Sequence, residues 1–489
     1  MSSKEPYRYT IYVIEKNSTF GPGAAYNDDL ETNLLNTKTG YITIFPEKKS
    51  DFFNWLHNHP EKWQWKYPSF VPDENSYAPR PLFGQYLQHS FATLISYGVK
   101  KNVKIIPVNA EVVDLKKMRD SYSVITACNI TIRSDYVFLM CGTLENKKQD
   151  TPKMKKGVIS NPYPVSKLTS HFNREASVAI VGSRLSAIDT VIALKESGHV
   201  GTIDMFSRSG FFPSVRGTQG RYTPKHLTTE KLNNIRLAKG CLNLSDLSSL
   251  VVKDIDQYHI ENPDHPREPL AIPSPAECLS TFLKKEIALA EKPRGWQAVL
   301  YSTNVIIDKM WNSLDNNEQE RFKNNFLSTF LSYRVSIPME NAVKILSYLN
   351  DESLRFFSGP ISISYNDSGK PEILNDATLD KTAYDHVVIA TGSPKSYKNS
   401  NSQLLASLEE RGSISPHPFG GINVDETTYN IIDRNNIADE KVYAIGEITS
   451  GKFFFTSALD IICRHAENCA NSFYEAQNFS EKRKLSKVY

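Results

Sequence analysis

Short apolar runs that stop abruptly at a glycine or a charge constrain the fold of this chain more than any other feature. Ser177-Val-Ala-Ile-Val181 runs straight into Gly182, and His386-Val-Val-Ile-Ala390 runs into Thr391-Gly392. Tyr136-Val-Phe-Leu-Met140 closes in Cys141-Gly142-Thr143, and Tyr9-Thr-Ile-Tyr-Val-Ile14 ends in Glu15-Lys16. Runs of this length without polar alternation read as strands buried on both faces, the mark of a parallel sheet. Longer stretches of helical period separate them, so the expected class is α/β.

The chain has 489 residues, enough for two or three domains with a sizeable core. Lysine plus arginine is 57 and aspartate plus glutamate 54, a net charge of +3 that leaves no footprint for nucleic acid or an anionic membrane. A content of 40% hydrophobic and 23% charged residues excludes a mostly disordered chain. No run of eighteen apolar residues occurs, and Met1 to Arg8 lacks an apolar signal core, which predicts a cytoplasmic location. The six cysteines show no Cys-x-x-Cys, so they predict buried small hydrophobes rather than disulfides or a zinc site. His57 and His59 form the one close histidine pair, with no His-x-x-x-His, so no metal is expected.

Between about 275 and 350 apolar residues recur at three and four, as in Leu279, Leu283, Ile287 and Ala290, which predicts a helical insertion. Glu318 to Phe322 reads as a helix start capped by Asp315 or Asn317. The stretch 240–275, with Pro263, Pro266, Pro273 and Pro275, reads as loop. The last residues, from Glu481, form a basic tail read as solvated.

Ile180-Val-Gly-Ser-Arg-Leu-Ser-Ala-Ile-Asp189 is a strand, a glycine turn and a helix, the arrangement that faces backbone N–H groups and a helix N-terminus toward a pyrophosphate. The expected contacts are Gly182, Ser183, Leu185 and Ser186. The usual G-x-G-x-x-G is degraded: Arg184 stands at the second glycine, where it crowds a pyrophosphate unless its side chain swings outward, and Ala187 at the third. The next strand, Gly201 to Phe206, ends in Ser207-Arg208. An arginine in place of the usual acid suits a ribose 2′-phosphate and favours NADPH over NADH.

The first strand ends in Glu15, where a carboxylate can accept from ribose hydroxyls, and Lys16 follows. Phe20-Gly21-Pro-Gly23-Ala-Ala-Tyr26 is a glycine-rich loop, followed by Asn36-Thr37. Late in the chain, Val442 to Gly446-Glu447 is a strand running into a glycine–acid pair, with Thr456 just ahead of another helix. A turn of that kind suits a flavin's ribityl and pyrophosphate groups. Phe453 to Phe455 reads as core filling, and Tyr333-Arg334 as a contact within the helical insertion.

Together with Phe53-Asn-Trp-Leu56, Gly198-His-Val-Gly201, Trp296-Gln-Ala-Val299, Tyr333-Arg-Val-Ser-Ile-Pro-Met339, Gly421-Ile-Asn-Val-Asp425 and Ala444-Ile-Gly446, these segments resemble the bacterial FAD/NAD(P)-binding flavoprotein family. That family is a distant relative of the flavin monooxygenases and amino-acid N-hydroxylases, and the resemblance covers nearly the whole chain. It implies two Rossmann-like dinucleotide-binding folds, FAD-type with an inserted NAD(P)-type, plus a helical insertion. The implied boundaries are 1–160 and 355–489 for the FAD-type domain, 161–240 for the NAD(P)-type domain and 241–354 for the insertion. The implied cofactors are FAD and NADPH, and the implied activity is a flavin-dependent oxidoreductase, a monooxygenase among the options, acting on a small molecule. Gly142 and Gly392 stand where the family places its two Ala-Thr-Gly strand ends.

The departures are as informative. Family members open with a strand and a G-x-G-x-x-G turn upstream of the strand ending at Glu15, whereas only 14 residues precede Glu15 here, none of them glycine. Three explanations stand: a start downstream of the natural one, a partner chain that supplies the strand and glycine loop, or a scaffold that no longer binds FAD. Glu447 replaces the family's usual aspartate. No side chain stands out as an acid–base catalyst.

Overall fold

The computed structural model describes residues 8–147, 157–269, 278–376, 379–392, 394 and 396–486. The chain forms two compact units. The first comprises Met1–Glu31, Thr37–Lys148 and Ser393–Tyr489; the second comprises Thr32–Asn36 and Gln149–Gly392. Strands are numbered in chain order. The first six are β1 (Tyr9–Glu15), β2 (Val103–Asn109), β3 (Val112–Lys117), β4 (Tyr122–Thr126), β5 (Thr131–Ser134) and β6 (Val137–Leu139). Then come β7 (Val158–Ile159), β8 (Val178–Val181), β9 (Ile203–Ser207), β10 (Leu354–Ser358), β11 (Ile361–Tyr365), β12 (Pro371–Asn375), β13 (Lys381–Ala383) and β14 (His386–Ile389). The last two are β15 (Asn430–Ile432) and β16 (Ala438–Ala444).

In the first unit β1 and β2 pair in parallel, from Tyr9 opposite Val103 to Glu15 opposite Asn109. Their crossover contains the helix Arg80–Lys100, as a parallel pair requires. That helix tolerates Pro81 because its first turn has N–H groups without intrahelical partners. It buries Leu82, Phe83, Tyr86 and Leu87, and the short helix Asp51–Asn58 adds Phe52, Trp55 and Leu56 to the same aromatic core. A second sheet runs β15–β16–β6, with β16 and β6 parallel. The helix Leu459–Ser486 lays Phe473 against Tyr136, Phe138 and Tyr443 beside it. Strands β3, β4 and β5 form a separate antiparallel meander.

The second unit holds a five-stranded parallel sheet in the order β10–β9–β8–β14–β7. Val178, Ile180, Ile203 and Met205 are 0% exposed and pack with Ile188, Val191 and Ile192 of the helix Leu185–Glu196. Burying such side chains is worth about 1.5–3 kcal/mol each. The antiparallel sheet β11–β12–β13 contributes Ile373 to a cluster with Ala179, Phe206, Val387 and the buried Tyr384. Cover on both faces is what a parallel sheet needs, and it explains why these strands lack polar alternation.

The structure corrects several expectations. Residues 355–392 do not continue the FAD-type domain: β10 pairs with β9 and β14 with β8, because their apolar residues complete the second unit's sheet. The predicted loop at 240–275 contains an 18-residue helix, Leu244–Glu261, started by a reciprocal capping box between Asn243 and Asp246. Its turn-forming residues begin only at Asn262, and residues 270–277 lie outside those described. Cys128, Cys241 and Cys278 are exposed, so buried packing describes Cys469 but not all six. The helical insertion between 275 and 350 is present, and Asp315 caps the helix Asn316–Arg321 by accepting from Glu318 N. Tyr333-Arg334 closes the helix Leu327–Arg334 within that insertion, and Phe453 is buried in the first unit's core. The end of the basic tail, 487–489, lies outside the described residues.

Two polar clusters fasten the second unit. Arg294, 1% exposed, donates to Glu286 at 2.7 and 2.9 Å, to Glu268 Oε2 at 2.8 Å and to the Val215 carbonyl at 3.0 Å. Burial opposes its charge, but the two carboxylates outweigh it and raise its pKa. Removing one partner strands a buried charge. We therefore expect Arg294→Ala, which leaves the Glu286 and Glu268 carboxylates without their cation, to cost about 3–5 kcal/mol in thermal or urea unfolding.

The second cluster ties β14 to β8 at their start: Ser177 donates to Asp385 Oδ2 from both N and Oγ at 2.9 Å, and Lys370 Nζ lies 2.8 Å from Oδ1. These contacts, Lys370 first, pull the Asp385 carboxyl from 3.8 down to about 2. A depressed carboxyl contributes stability that is complete above its unfolded value and lost as pH falls through the folded one. Asp385→Asn is expected to cost about 1 kcal/mol at pH 7, after allowance for solvent screening. The wild type should lose that advantage as pH falls from about 4 to about 2, as measured by unfolding across that range.

Candidate functional site

The strand ends converge at two places, one in each unit. In the first unit β6 and β16 lie side by side and parallel, with Ala444 opposite Leu139, and Ile445 N bonds the Leu139 carbonyl at 3.2 Å. Gly142 (φ +61°) and Gly446 (φ +85°) therefore follow at the same end of this sheet, and a Cβ on either would meet nothing within 4 Å. Each turn leaves room for a group to approach the backbone closely. Glu447 begins a short turn that Thr449 closes by donating to the Gly446 carbonyl at 2.7 Å.

Glu15 ends β1 and accepts from Asn17 N at 2.9 Å and from Asn17 Nδ2 at 3.1 Å. Lys16 pairs with Glu145, just past β6, at 2.5 Å. The C-terminal ends of β1 and β6 thus face the same side, where open α/β sheets bind ligands. Asn109, at the end of β2, holds the turn by donating to the carbonyls of Glu15 and Lys16 at 3.0 and 3.1 Å.

The glycine-rich loop lies over the helix Arg80–Lys100. A Cβ on Gly21 would come within 2.8 Å of the Leu87 carbonyl oxygen, whereas Gly23 is open. Tyr26 packs edge-on against Phe83 at 4.9 Å, and burial pushes its hydroxyl up to about 12. Thr37 is half-buried and Thr456 buried.

Asn36 belongs to the second unit, where its carbonyl accepts from Arg216 at 2.9 Å. Gly392 closes that unit after β14 and is open to solvent space. Gly182 (φ +130°) follows β8 so tightly that a Cβ would lie 2.4 Å from the Ala390 carbonyl oxygen. The helix Leu185–Glu196 begins there, with Arg184 at its N-cap and no side-chain cap on its first N–H groups. Leu185 and Ser186 thus bring uncapped backbone donors and the positive end of a helix dipole to the turn.

Arg184 does swing aside: its guanidinium lies 3.3 Å from Ser328 Oγ and 3.4 Å from the Ser328 carbonyl. Burial first, and the neighbouring Arg208 second, lower its pKa. Arg208 stands exposed just beyond β9. Two cations beside a helix N-terminus are surroundings whose chemistry suits an anion.

Ser183 and Ser207 were expected to contact the ligand, but both hydroxyls are buried and used internally. Ser183 Oγ lies 2.9 Å from Ser207 Oγ and 2.8 Å from the Phe211 carbonyl. They fix the turn to the end of β9, which is a positioning role. Asp204, the one acid on that strand, is also taken, by Arg355 at 2.7 Å through two bonds and by Tyr384 at 2.7 Å. Sequence reasoning missed Glu145, Asn109, Ser328 and Arg216, because each acts through a partner far away in the chain. Among the described residues no group of three or more His, Cys, Asp or Glu is placed to hold a metal ion, and no helix is long and apolar enough to cross a membrane.

Comparison with known proteins agrees with this geometry. Residues 1–144 match the model of the FAD-NAD(P)-binding family. None of the curated proteins matches the sequence. Among solved structures, L-lysine 6-monooxygenase from Pseudomonas syringae superimposes with a TM-score of 0.55 at 13% identity, covering 96% of this chain and 99% of that one. An ornithine N-hydroxylase from Kutzneria sp. 744, holding reduced FAD, NADP+ and L-ornithine, gives 0.55 at 12% identity over 95% and 92%. The reduced ornithine hydroxylase of Pseudomonas aeruginosa gives 0.54 at 14% over 94% and 91%. The chain therefore shares the α/β dinucleotide-binding fold of these flavoproteins.

The glycines separate by role. Gly182→Ala is expected to cost at least about 2 kcal/mol, because a left-handed residue would also meet a carbonyl. Gly142→Ala and Gly446→Ala add no clash and should cost only about 1–2 kcal/mol. Chemical denaturation of the three variants measures the difference.

Proposed function

We propose that this chain is a flavin-dependent NAD(P)H oxidoreductase, with FAD held by the first unit, NADPH by the second, and a monooxygenase-type reaction on a small molecule. The observation that carries this reading is the presence of two dinucleotide-type strand ends in one chain, one with open glycine turns and one with surroundings that suit an anion.

The second unit fits a pyridine dinucleotide phosphate. The pyrophosphate meets the Gly182 turn and the N–H groups of Leu185 and Ser186, and Arg208, with Arg184 beside it, receives the 2′-phosphate. Asp204, buried and bonded to Arg355 and Tyr384, leaves no free carboxylate on β9 to select the unphosphorylated ribose. In the first unit Glu15 is placed for ribose hydroxyls, and Gly142 and Gly446 leave room for a phosphate or ribityl chain. A G-x-G-x-x-G turn to cradle that pyrophosphate is not among the described residues, so this unit fits part of an FAD. Arg184 at the second glycine position of the degraded motif is what favours the second reading, a flavin-fold scaffold without cofactor or one subunit of a two-chain flavoenzyme.

A bound flavin supplies hydride acceptance and electron transfer to oxygen or substrate. The chain's own residues bind, orient and shield, and none is placed as a proton donor. Neighbouring flavoproteins act on ornithine and lysine, which makes a small amine-bearing substrate the first class to screen.

An absorbance spectrum of the full chain with FAD tests the reading. Flavin bands bleached faster by NADPH than by NADH are expected, and a colourless protein that takes up no FAD favours the scaffold. Arg208→Ala should weaken NADPH about ten- to hundredfold and leave NADH nearly unchanged, the cost of one charge-assisted contact. Equal loss for both nucleotides would remove Arg208 from the 2′-phosphate role.

A further inference from the structure

In the second unit residues 214–217 run beside residues 336–337: Arg216 N donates to the Ile337 carbonyl and Ile337 N to the Ser214 carbonyl, both at 2.9 Å. Val215 is 0% exposed and belongs to the core, so strand alternation turns Arg216 the other way. The helix Gly295–Ser302 is pinned across this segment by two residues one turn apart. Gln297 accepts from Gly217 N at 3.0 Å and donates to the Val215 carbonyl at 2.7 Å, and Tyr301 donates to Ser336 Oγ at 2.5 Å. Arg216 is thereby laid on the Tyr301 ring, its guanidinium carbon 4.0 Å from the ring centre.

Arg216 is half-buried, yet among the described residues no carboxylate meets it. Its Nη1 is spent on the Asn36 carbonyl at 2.9 Å, which leaves the Nη2–Nε edge with its donors. Glu286, which accepts from Val215 N at 2.9 Å, is taken by Arg294, as is Glu268. Arg334, 6% exposed, donates to Asn304 Oδ1 and lies 5.1 Å over the same Tyr301 ring, so a second positive group stands there. The helices Gly295–Ser302 and Leu327–Arg334 also carry two buried donors with no partner among the described residues. These are Trp296 Nε1 and the Tyr333 hydroxyl, whose rings meet edge to face at 5.1 Å. Donors without acceptors and a stacked guanidinium without an acid cost the fold stability and suit an anionic ligand.

We propose that Arg216, with Tyr301 as its wall and Arg334 as a second cation, forms a subsite for the carboxylate of a small organic acid. The planar fork of an arginine fits a carboxylate through two parallel bonds. The Tyr301 stack and the Asn36 carbonyl hold that fork in one orientation before the ligand arrives. A carboxylate suits the place better than a phosphate dianion, because both helices bring their C-terminal ends, the negative ends of their dipoles, to Tyr301 and Arg334. The subsite is separate from the Gly182 turn. Arg184 bonds Ser328 in the first turn of the helix Leu327–Arg334, and Arg334 is its last residue, about 9 Å further along the helix axis. The subsite goes beyond the flavin reading and does not rest on it.

The test uses the full chain and sodium butyrate as probe, at about 0.15 M sodium chloride so that loose surface attraction is screened. Saturation-transfer NMR should show saturable butyrate binding, at least about tenfold tighter than that of butyramide, its neutral amide. Arg216→Gln should weaken butyrate about tenfold or more, with folding checked by circular dichroism. Arg216→Lys keeps the charge and loses the fork, so it should weaken butyrate at least about threefold, and it reads the subsite even where the glutamine variant does not fold. No saturable binding, equal binding of butyramide, or binding that the folded variants leave unchanged overturns the proposal. Inorganic phosphate that binds more tightly than butyrate and displaces it assigns the fork to a phosphate ester and overturns it too. So does NADPH or FAD that displaces butyrate and is itself weakened by the Arg216 variants, which would make the fork part of a cofactor site. Butyrate binding in a chain that takes up neither cofactor keeps the subsite and removes the flavin reading.

Discussion

Interior strands of a parallel sheet must be hydrogen-bonded along both edges and covered on both faces, and the rest of this structure depends on that demand. In the second unit β8 lies between β9 and β14, with the helix Leu185–Glu196 packed against it and Tyr384 and Ile373 in a further cluster with Ala179. The tight turn at Gly182 exists only because β14 brings the Ala390 carbonyl so close. The placement of Arg184 and Arg208 hangs on that sheet: without the parallel pairing, the helix N-terminus and the end of β9 would not stand together. In the first unit the same demand is met for β16, which lies between β15 and β6.

Electrostatics follows burial closely in this molecule. Buried charges are matched: Arg294 has two carboxylates, and Asp204 has Arg355 and Tyr384. Leaving such groups unpaired would cost several kcal/mol each. Arg208 is different, because it stands exposed at the dinucleotide-type turn, and Arg184 feels it as a like charge. Two neighbouring cations beside a helix N-terminus do little for folding and a good deal for an anion.

Much of this was legible in the residues because apolar runs ending in glycine carry their own structural meaning. Val178–Val181, Ile203–Ser207 and His386–Ile389 are strands where the pattern puts them, and Leu185–Glu196 is the helix between the first two. The helix Leu244–Glu261 was hidden because Ser, Asp and Gln interrupt its apolar face and five prolines follow it by residue 275. Residues 355–392 were assigned to the wrong domain because a strand's sequence says that it pairs, not with which strand. Ser183 and Ser207 looked like ligand contacts, and only their mutual distance shows that they hold each other.

The sequence by itself determined the α/β class, the strand ends, the glycine turns, the degraded motif with Arg184 and the absence of a glycine before Glu15. These are local properties, dictated by backbone freedom, side-chain branching and burial within a few residues. The tertiary structure decided which strands share a sheet, that Arg184 turns toward Ser328, and that Asp204 is spent on Arg355 and Tyr384. Those outcomes depend on residues a hundred or more positions apart, and strand pairing between them is set by global packing rather than by any one segment.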